Sequence, residues 1–291
     1  MKVKQGPWWE VLITKNPMMA EVNRFRKRFL SIRGSSVAIN GGIGIVLVLY
    51  ALFAMICVYY RGDIEPIMLL GLFIVLMLLA IPLLLHGAIS GERERRSWDM
   101  LMVAPITHAQ IIVGKFMGAF AGLGMAFGLF MIPVVIDAAF HSESQFVNVL
   151  LASIVVMAQG GSLIAMTLLI SSRVKRPLIA LAVSIGVVMI YFVVFPTVIS
   201  SATFVLGEFL TTIISPFLVL YRLALNTPAH QNDYFLVRNE GQSLDVFVVT
   251  FCHIGYQVVL TICLLMWATK TLVFADHEVK FIPNKKKKNH A

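Results

Sequence analysis

Apolar residues in this chain come in long uninterrupted runs, not in the period-2 or narrow period-3.6 patterns of water-soluble elements. A bilayer core of about 30 Å takes about 20 helical residues. Five runs reach that length: 37–60, 67–89, 111–136 with Lys115 near its start, 146–170 and 178–200. A sixth, 246–269, carries His253, Gln257 and Thr261 within it. Backbone amides in lipid need partners inside their own segment, and the alternation of a membrane barrel is missing, so the runs predict helices. The expected fold class is an all-α integral membrane protein with six transmembrane helices.

Two segments are neither spans nor simple loops. In residues 1–36, Asn16 and Pro17 resemble an N-cap and first-turn pair, followed by Met18, Val22, Phe25, Phe29 and Ile32 at spacings of four and three. Arg24, Lys27 and Arg28 fall on the opposite side. This predicts an amphipathic helix lying in the membrane interface. Residues 202–245 begin apolar but contain Gly207, Glu208 and Pro216, which predicts short helices dipping into the outer leaflet, not a full span.

Composition agrees with the runs. Of 291 residues, 58% are hydrophobic and 13% charged, too few charges to cover a water-facing surface. The net charge of +9 invites a nucleic-acid reading until the basic residues are placed. With the N-terminus inside, 21 of the 24 Lys and Arg fall on one side, and Arg61, Arg222 and Arg238 on the other. The positive-inside rule then puts both termini in the cytoplasm, with a basic tail over 271–291, and no nucleic acid is needed. A first span preceded by a long polar segment is expected to stay as an anchor in the plasma (inner) membrane.

Catalytic chemistry is hard to find. The chain has neither a His-Glu-x-x-His helix nor a Gly-x-Ser-x-Gly elbow, and its seven histidines are scattered. Cys57, Cys252 and Cys263 sit in apolar runs without metal-ligand spacing and read as lipid-facing or packing residues. His86 and His253 lie in or at the end of spans, where packing is the plainer reading and an interhelical hydrogen bond or pore lining the sharper one. Gly114-Lys115 ends like a phosphate loop, but Ala109 and Phe116 stand where that motif requires Gly and Ser or Thr, so ATP does not bind by that route. Gly114, Gly118 and Gly122 repeat at spacing four and predict close packing of another helix on the third span. No catalytic residue, metal site or cofactor is expected on this chain.

The most informative stretch is 91–110, between the second and third spans, which is charged, then amphipathic, then apolar. Its charged part is Glu92, Arg93, Glu94, Arg95 and Arg96. A short helix is expected over 97–103, carrying Trp98, Leu101 and Met102 and broken at Ala104-Pro105. Composition alone fits a solvated connector as well as a rigid docking element.

At these residues the chain resembles the permease subunits of type-2 ABC transporters, the compact six-span exporter class. Glu92 to Arg96, Trp98 to Met102, Ala104-Pro105-Ile106-Thr107 and Gly114-Lys115 follow that family's order. Asn16-Pro17 with Glu21 and Arg24 to Arg28 is similar to its connecting helix, and Ser215-Pro216 falls in its last external loop. Arg96-Ser97-Trp98-Asp99 departs from the usual Gly-Thr-Leu-Glu. The resemblance implies a dimer of permeases, each touching a separate ABC-type ATPase subunit that holds ATP and magnesium. It also implies that Glu92, Arg93, Glu94, Arg95 and Arg96 make charge pairs on the ATPase. Trp98, Leu101 and Met102 would anchor in its groove, with Pro105 and Thr107 forming the following turn. Substrate would leave through the first, second and fifth spans of the pair. Two readings of other classes stand beside this one, a membrane scaffold or assembly factor without an ATPase, and an ion-coupled secondary transporter.

Overall fold

The computed structural model describes residues 50, 52, 55, 59, 66–94, 106–139, 143–202, 206–225 and 246–280. Residues 1–49, with the expected interfacial helix of Met18, Val22, Phe25, Phe29 and Ile32, lie outside the described residues, as does most of the expected first span. Among the described residues all regular structure is helical. In chain order the helices are α1 (Pro66–Leu85), α2 (Gly87–Glu94), α3 (His108–Ala139), α4 (Glu143–Arg173) and α5 (Pro177–Met189). A π turn (Ile190–Val194) follows, then α6 (Phe195–Ala202), α7 (Leu206–Ile214), α8 (Pro216–Leu225) and α9 (Val246–Lys280).

Five helical stretches are long and apolar enough to cross a membrane: Pro66–Glu94, His108–Ile136, Phe146–Arg173, Pro177–Ile199 and Val246–Leu272. They coincide with five of the six apolar runs, so the chain is a multi-pass helical membrane protein. The second run is longer than expected, because helix resumes at Gly87 and carries the charged residues through Glu94.

Helix α4 is the hub. It is 67% buried over its spanning window, against 17% for α3, and it packs on α1, α2, α3, α5, α8 and α9. Its sequence explains this. Ser153, Gly160, Gly161, Ser162, Ser171 and Ser172 are small enough to let neighbouring backbones approach, and in lipid close packing replaces the hydrophobic drive between helices. Leu163, Ile164 and Leu168 join Leu70, Ile74 and Ile112 of the neighbouring helices, all six being part of one buried cluster. Phe73 of α1 stacks at a tilt with Phe127 and Phe130 of α3, at 5.2 and 4.7 Å between centroids. Tyr50, in the expected first span, donates to Leu129 O of α3 at 3.0 Å.

The wide turn at 190–194 sits just before Pro196. Proline has no N–H for the carbonyl four residues back, and here Phe195 N–H reaches five residues back to Ile190 O. This turn presents the Tyr191 hydroxyl 2.8 Å from that of Tyr256, which joins α5 to α9.

Among the described residues between the fifth and sixth runs stand two short helices, α7 and α8, of 9 and 10 residues, each too short to span. Pro216 forces the break between them, and Ser215 serves both: its N–H bonds Thr211 O, and its carbonyl accepts from Val219 N. Val219, Leu220 and Leu223 are buried where α8 packs on α1, α4 and α9, and Thr212 is buried on α7. His253 anchors the pair. It is fully buried in α9, and its Nδ1 donates to Ile213 O at 2.6 Å. Replacing His253 by Ala leaves that carbonyl unpaired, at a cost of about 1–3 kcal/mol. Maleimide labelling of a cysteine placed at Thr212, now 1% exposed, is expected to rise; unchanged labelling would show that the bond holds nothing.

Candidate functional site

The described basic residues of the spanning helices gather at one end of the bundle. There α2 ends, α3 begins and α4 finishes, and the distal part of α9 runs past. This is the root of the 91–110 connector.

The connector leaves α1 through a broken helix. Pro82 removes one ladder donor within α1, and the helix stops at Leu85 before resuming at Gly87. His86 N–H still reaches Pro82 O at 3.0 Å, and its ring Nδ1 takes Leu83 O at 2.9 Å. The amides beyond the break are received by another helix. Ser171 Oγ of α4 accepts from Ile89 N at 3.1 Å and from Ser90 N at 3.2 Å, and donates to His86 O at 2.7 Å. One hydroxyl, with one proton and two lone pairs, thus uses its full hydrogen-bonding capacity inside the gap. Ser90 Oγ adds a second bond to His86 O at 2.8 Å. Ile89, Ser90 and Ser171 are each 0% exposed, so these bonds form away from water.

The next turn is tied by charge. Arg93 Nη1 donates to Ser172 O at 2.7 Å, placing a cation on one of the last carbonyls of α4, where the helix dipole favours it. Glu92 Oε1 accepts from Lys115 Nζ of α3 at 2.6 Å, with side chains 31% and 14% exposed. The connector therefore leaves and returns across one ion pair, and three spans meet there. Glu94 is exposed.

The returning end is built by a capping box. Thr107 Oγ1 accepts from Gln110 N at 3.3 Å, and Gln110 Oε1 accepts from Thr107 N at 2.9 Å. Thr107 is thus the N-cap of α3, and Ile111 N–H closes the first turn on its carbonyl at 3.2 Å. The Thr-x-x-Gln spacing before an apolar run carries this information in the sequence, although Gln110 was not among the residues singled out there.

The last three residues of α4 reach two neighbours, the α1–α2 break and α9. Ser171 fills the α1–α2 break. The Ser172 hydroxyl lies 2.9 Å from that of Thr271 on α9. The Arg173 guanidinium sits 4.6 Å from the centroid of the Trp267 ring, half-exposed at the bundle edge, as a cation on an interfacial aromatic. None of Ser171, Ser172 and Thr271 carries a motif; only the fold brings them to the connector.

Of the expected coupling residues, Glu92, Arg93 and Thr107 meet at this root and Glu94 lies at its edge. Arg95, Arg96, Trp98, Leu101, Met102 and Pro105, with the expected 97–103 helix, lie outside the described residues. On α3, Gly114 is buried, Gly118 half-buried and Gly122 exposed, with nothing within 4 Å of where a Cβ on Gly122 would stand. On α4 two glycines stand close to neighbouring side chains. A Cβ on Gly160 would clash with Leu123 Cδ2 and lie 3.3 Å from Met77 Sδ, and one on Gly161 would touch Phe120 and Thr261. Cys252 and Cys263 are free and exposed on the apolar surface.

Among the described residues the arrangement shows no nucleophile paired with a base, and Glu92, Arg93, Thr107, Gln110, Lys115 and Ser171 bond one another and the backbone. What it can do is mechanical, since a push on α2 is felt by α1, α3 and α4 together. The fold is that of a multi-pass helical bundle with a charged, helically rooted connector between its spans. The sequence comparison agrees: residues 63–276, more than half of the chain, match the ABC-2 family transporter protein. The chain belongs to that family and is a permease, a membrane transport component that is not itself catalytic. No curated protein matches it.

Proposed function

We propose that this chain is the permease subunit of an ATP-driven exporter, its connector taking up the motion of a separate nucleotide-binding subunit. The observation that carries the reading is the root of the connector. A loop that merely linked two spans would have no need to be tied to α4 through Ser171 and Ser172 and to α3 through Lys115. In this reading the basic end faces the cytoplasm, both termini lie there, and the membrane is the plasma or inner membrane. Residues 92–107 dock on the ATPase, which binds ATP and magnesium, and a second permease copy or a homologue completes the path. The exposed apolar faces of α3 and α5 leave ample surface for lipid and for that second copy.

The test is purification of the tagged chain from its native membrane in gentle detergent, with identification of co-purifying proteins and an ATPase assay. A stoichiometric subunit with a phosphate-binding loop is expected. Reversing the charge of Arg95 and Arg96 together should leave the permease in the membrane yet lower permease-stimulated hydrolysis at least tenfold, because rim and buried charge pairs set docking between such partners. Full stimulation by that variant would remove the docking role from these residues. A folded preparation with no ATPase would remove the transporter reading and favour a scaffold or an ion-coupled carrier.

A further inference from the structure

The break between α1 and α2 is filled by a side chain from another helix, and this has a consequence beyond anchoring. In an uninterrupted helix Ile89 N–H would bond Leu85 O, Ser90 N–H would bond His86 O, and Gly87 N–H would bond Leu83 O. Each of these groups has an alternative use here. Ser171 Oγ takes the two amides, the Ser171 hydroxyl proton goes to His86 O, and His86 Nδ1 takes Leu83 O. If α1 and α2 straighten into one helix, the amides return to their own ladder and the Ser171 hydroxyl can turn to Thr167 O, as Ser153 does to Val149 O four residues back at 2.7 Å. Three hydrogen bonds around Ser171 are exchanged for three others, so neither arrangement strands a buried donor. Gly87 at the joint has nothing within 4 Å of a would-be Cβ and leaves the space open for straightening.

We infer that Ser171 is a positioning residue that pins the connector to α4 in a two-state joint, bent and held or straight and released. In the bent state Arg93 reaches Ser172 O and the connector root moves with α4. In the straight state α2 swings away from α4 and carries the Arg93 end of the connector with it. The joint therefore decides whether movement of residues 92–107 turns α1 alone or α1 and α4 together. This regulatory step rests on the connector reading above, whereas the joint itself does not.

The joint can be tested on the chain alone in lipid nanodiscs, by spin-label distances between Glu94→Cys and Lys175→Cys, both exposed positions, with Cys57, Cys252 and Cys263 changed to Ser. Wild type is expected to show a dominant short distance. Ser171→Ala should shift the short-to-long ratio on the order of tenfold toward long, since it removes the acceptor of two amides. Gly87→Ala leaves every Ser171 bond available but favours the continuous helix, and should shift the ratio the same way by about threefold. Ser172→Ala, which loses the Thr271 contact but not the pin, should match wild type. Distributions for Ser171→Ala and Gly87→Ala that superimpose on wild type would overturn the joint, as would an equal shift in Ser172→Ala.

With the co-purified ATPase present, ATP and magnesium should redistribute the wild-type distances and leave Ser171→Ala unresponsive. An equal response in both would overturn the positioning role while leaving the joint in place. The absence of any ATPase would end the transporter reading without touching the nanodisc result.

Discussion

Lys115→Glu is expected to pull the connector root apart. The substitution removes the 2.6 Å bond from Lys115 Nζ to Glu92 Oε1 and sets two carboxylates against each other where the side chains are 14% and 31% exposed. A charge-assisted hydrogen bond of this kind contributes about 1.5–3 kcal/mol, and like-charge repulsion adds to the loss. Thermal unfolding of the detergent-solubilised chain should begin at lower temperature, and permease-dependent ATP hydrolysis should fall at least tenfold. The swapped pair Glu92→Lys with Lys115→Glu should recover most of both. Recovery is expected to be partial, because Glu92 and Arg93 make further contacts beyond the pair. A swap as damaged as the single variants would mean that position and not charge sets the contact. Restored stability without restored hydrolysis would separate holding the root from moving it.

The second large effect is expected at Gly160. A Cβ added there would clash with Leu123 Cδ2 and lie 3.3 Å from Met77 Sδ. Leu123 is half-buried and ends in a flexible side chain, so Gly160→Ala can be met by its rotation, at a cost of about 1 kcal/mol. Gly160→Leu has no such escape. Met77 is 3% exposed and packs in the central cluster, so the larger side chain must push α3 and α1 off α4, at about 3 kcal/mol or more. The chain should then reach the membrane but aggregate on extraction, as measured by size-exclusion chromatography. Gly122→Leu is the informative contrast, since among the described residues nothing stands within 4 Å of where its Cβ would be. The monomer should tolerate it. If Gly122→Leu nevertheless disrupts a permease pair, that face of α3 meets a partner helix. Equal behaviour of Gly122→Leu and Gly160→Leu in the monomer would contradict the packing described here.

Much of the architecture is legible along the chain because lipid imposes a one-dimensional rule. A segment that crosses must be apolar for about 20 residues and must satisfy its own backbone, so length and composition are enough to locate it. The helices of the five later runs follow from this, and α7 and α8 follow from an apolar stretch cut short by Pro216. The connector's charge pattern and its resemblance to a family were readable for a similar reason, being local in sequence. The capping box at Thr107 and Gln110 was equally local and could have been read from its spacing alone.

The rotation of each helix about its own axis was not legible. In water a polar face marks the exposed side, but a spanning helix is apolar toward lipid and toward its neighbours alike, so its pattern does not say which side packs. That Gly160 and Gly161 of α4 lie against side chains of α1, α3 and α9 is marked by no spacing in the sequence. Ser171 looked like any small residue near a span end, and its use depends on a helix break 81 to 85 residues earlier in the chain. By itself, then, the sequence determined that this is a helical multi-pass membrane protein with a charged connector of the ABC-2 kind, because burial in lipid acts on each segment separately. The tertiary structure alone decided that α4 is the hub, that Ser171 and Arg93 tie the connector to it and that the Glu92–Lys115 pair ties the connector to α3, because those bonds join groups that no local pattern relates.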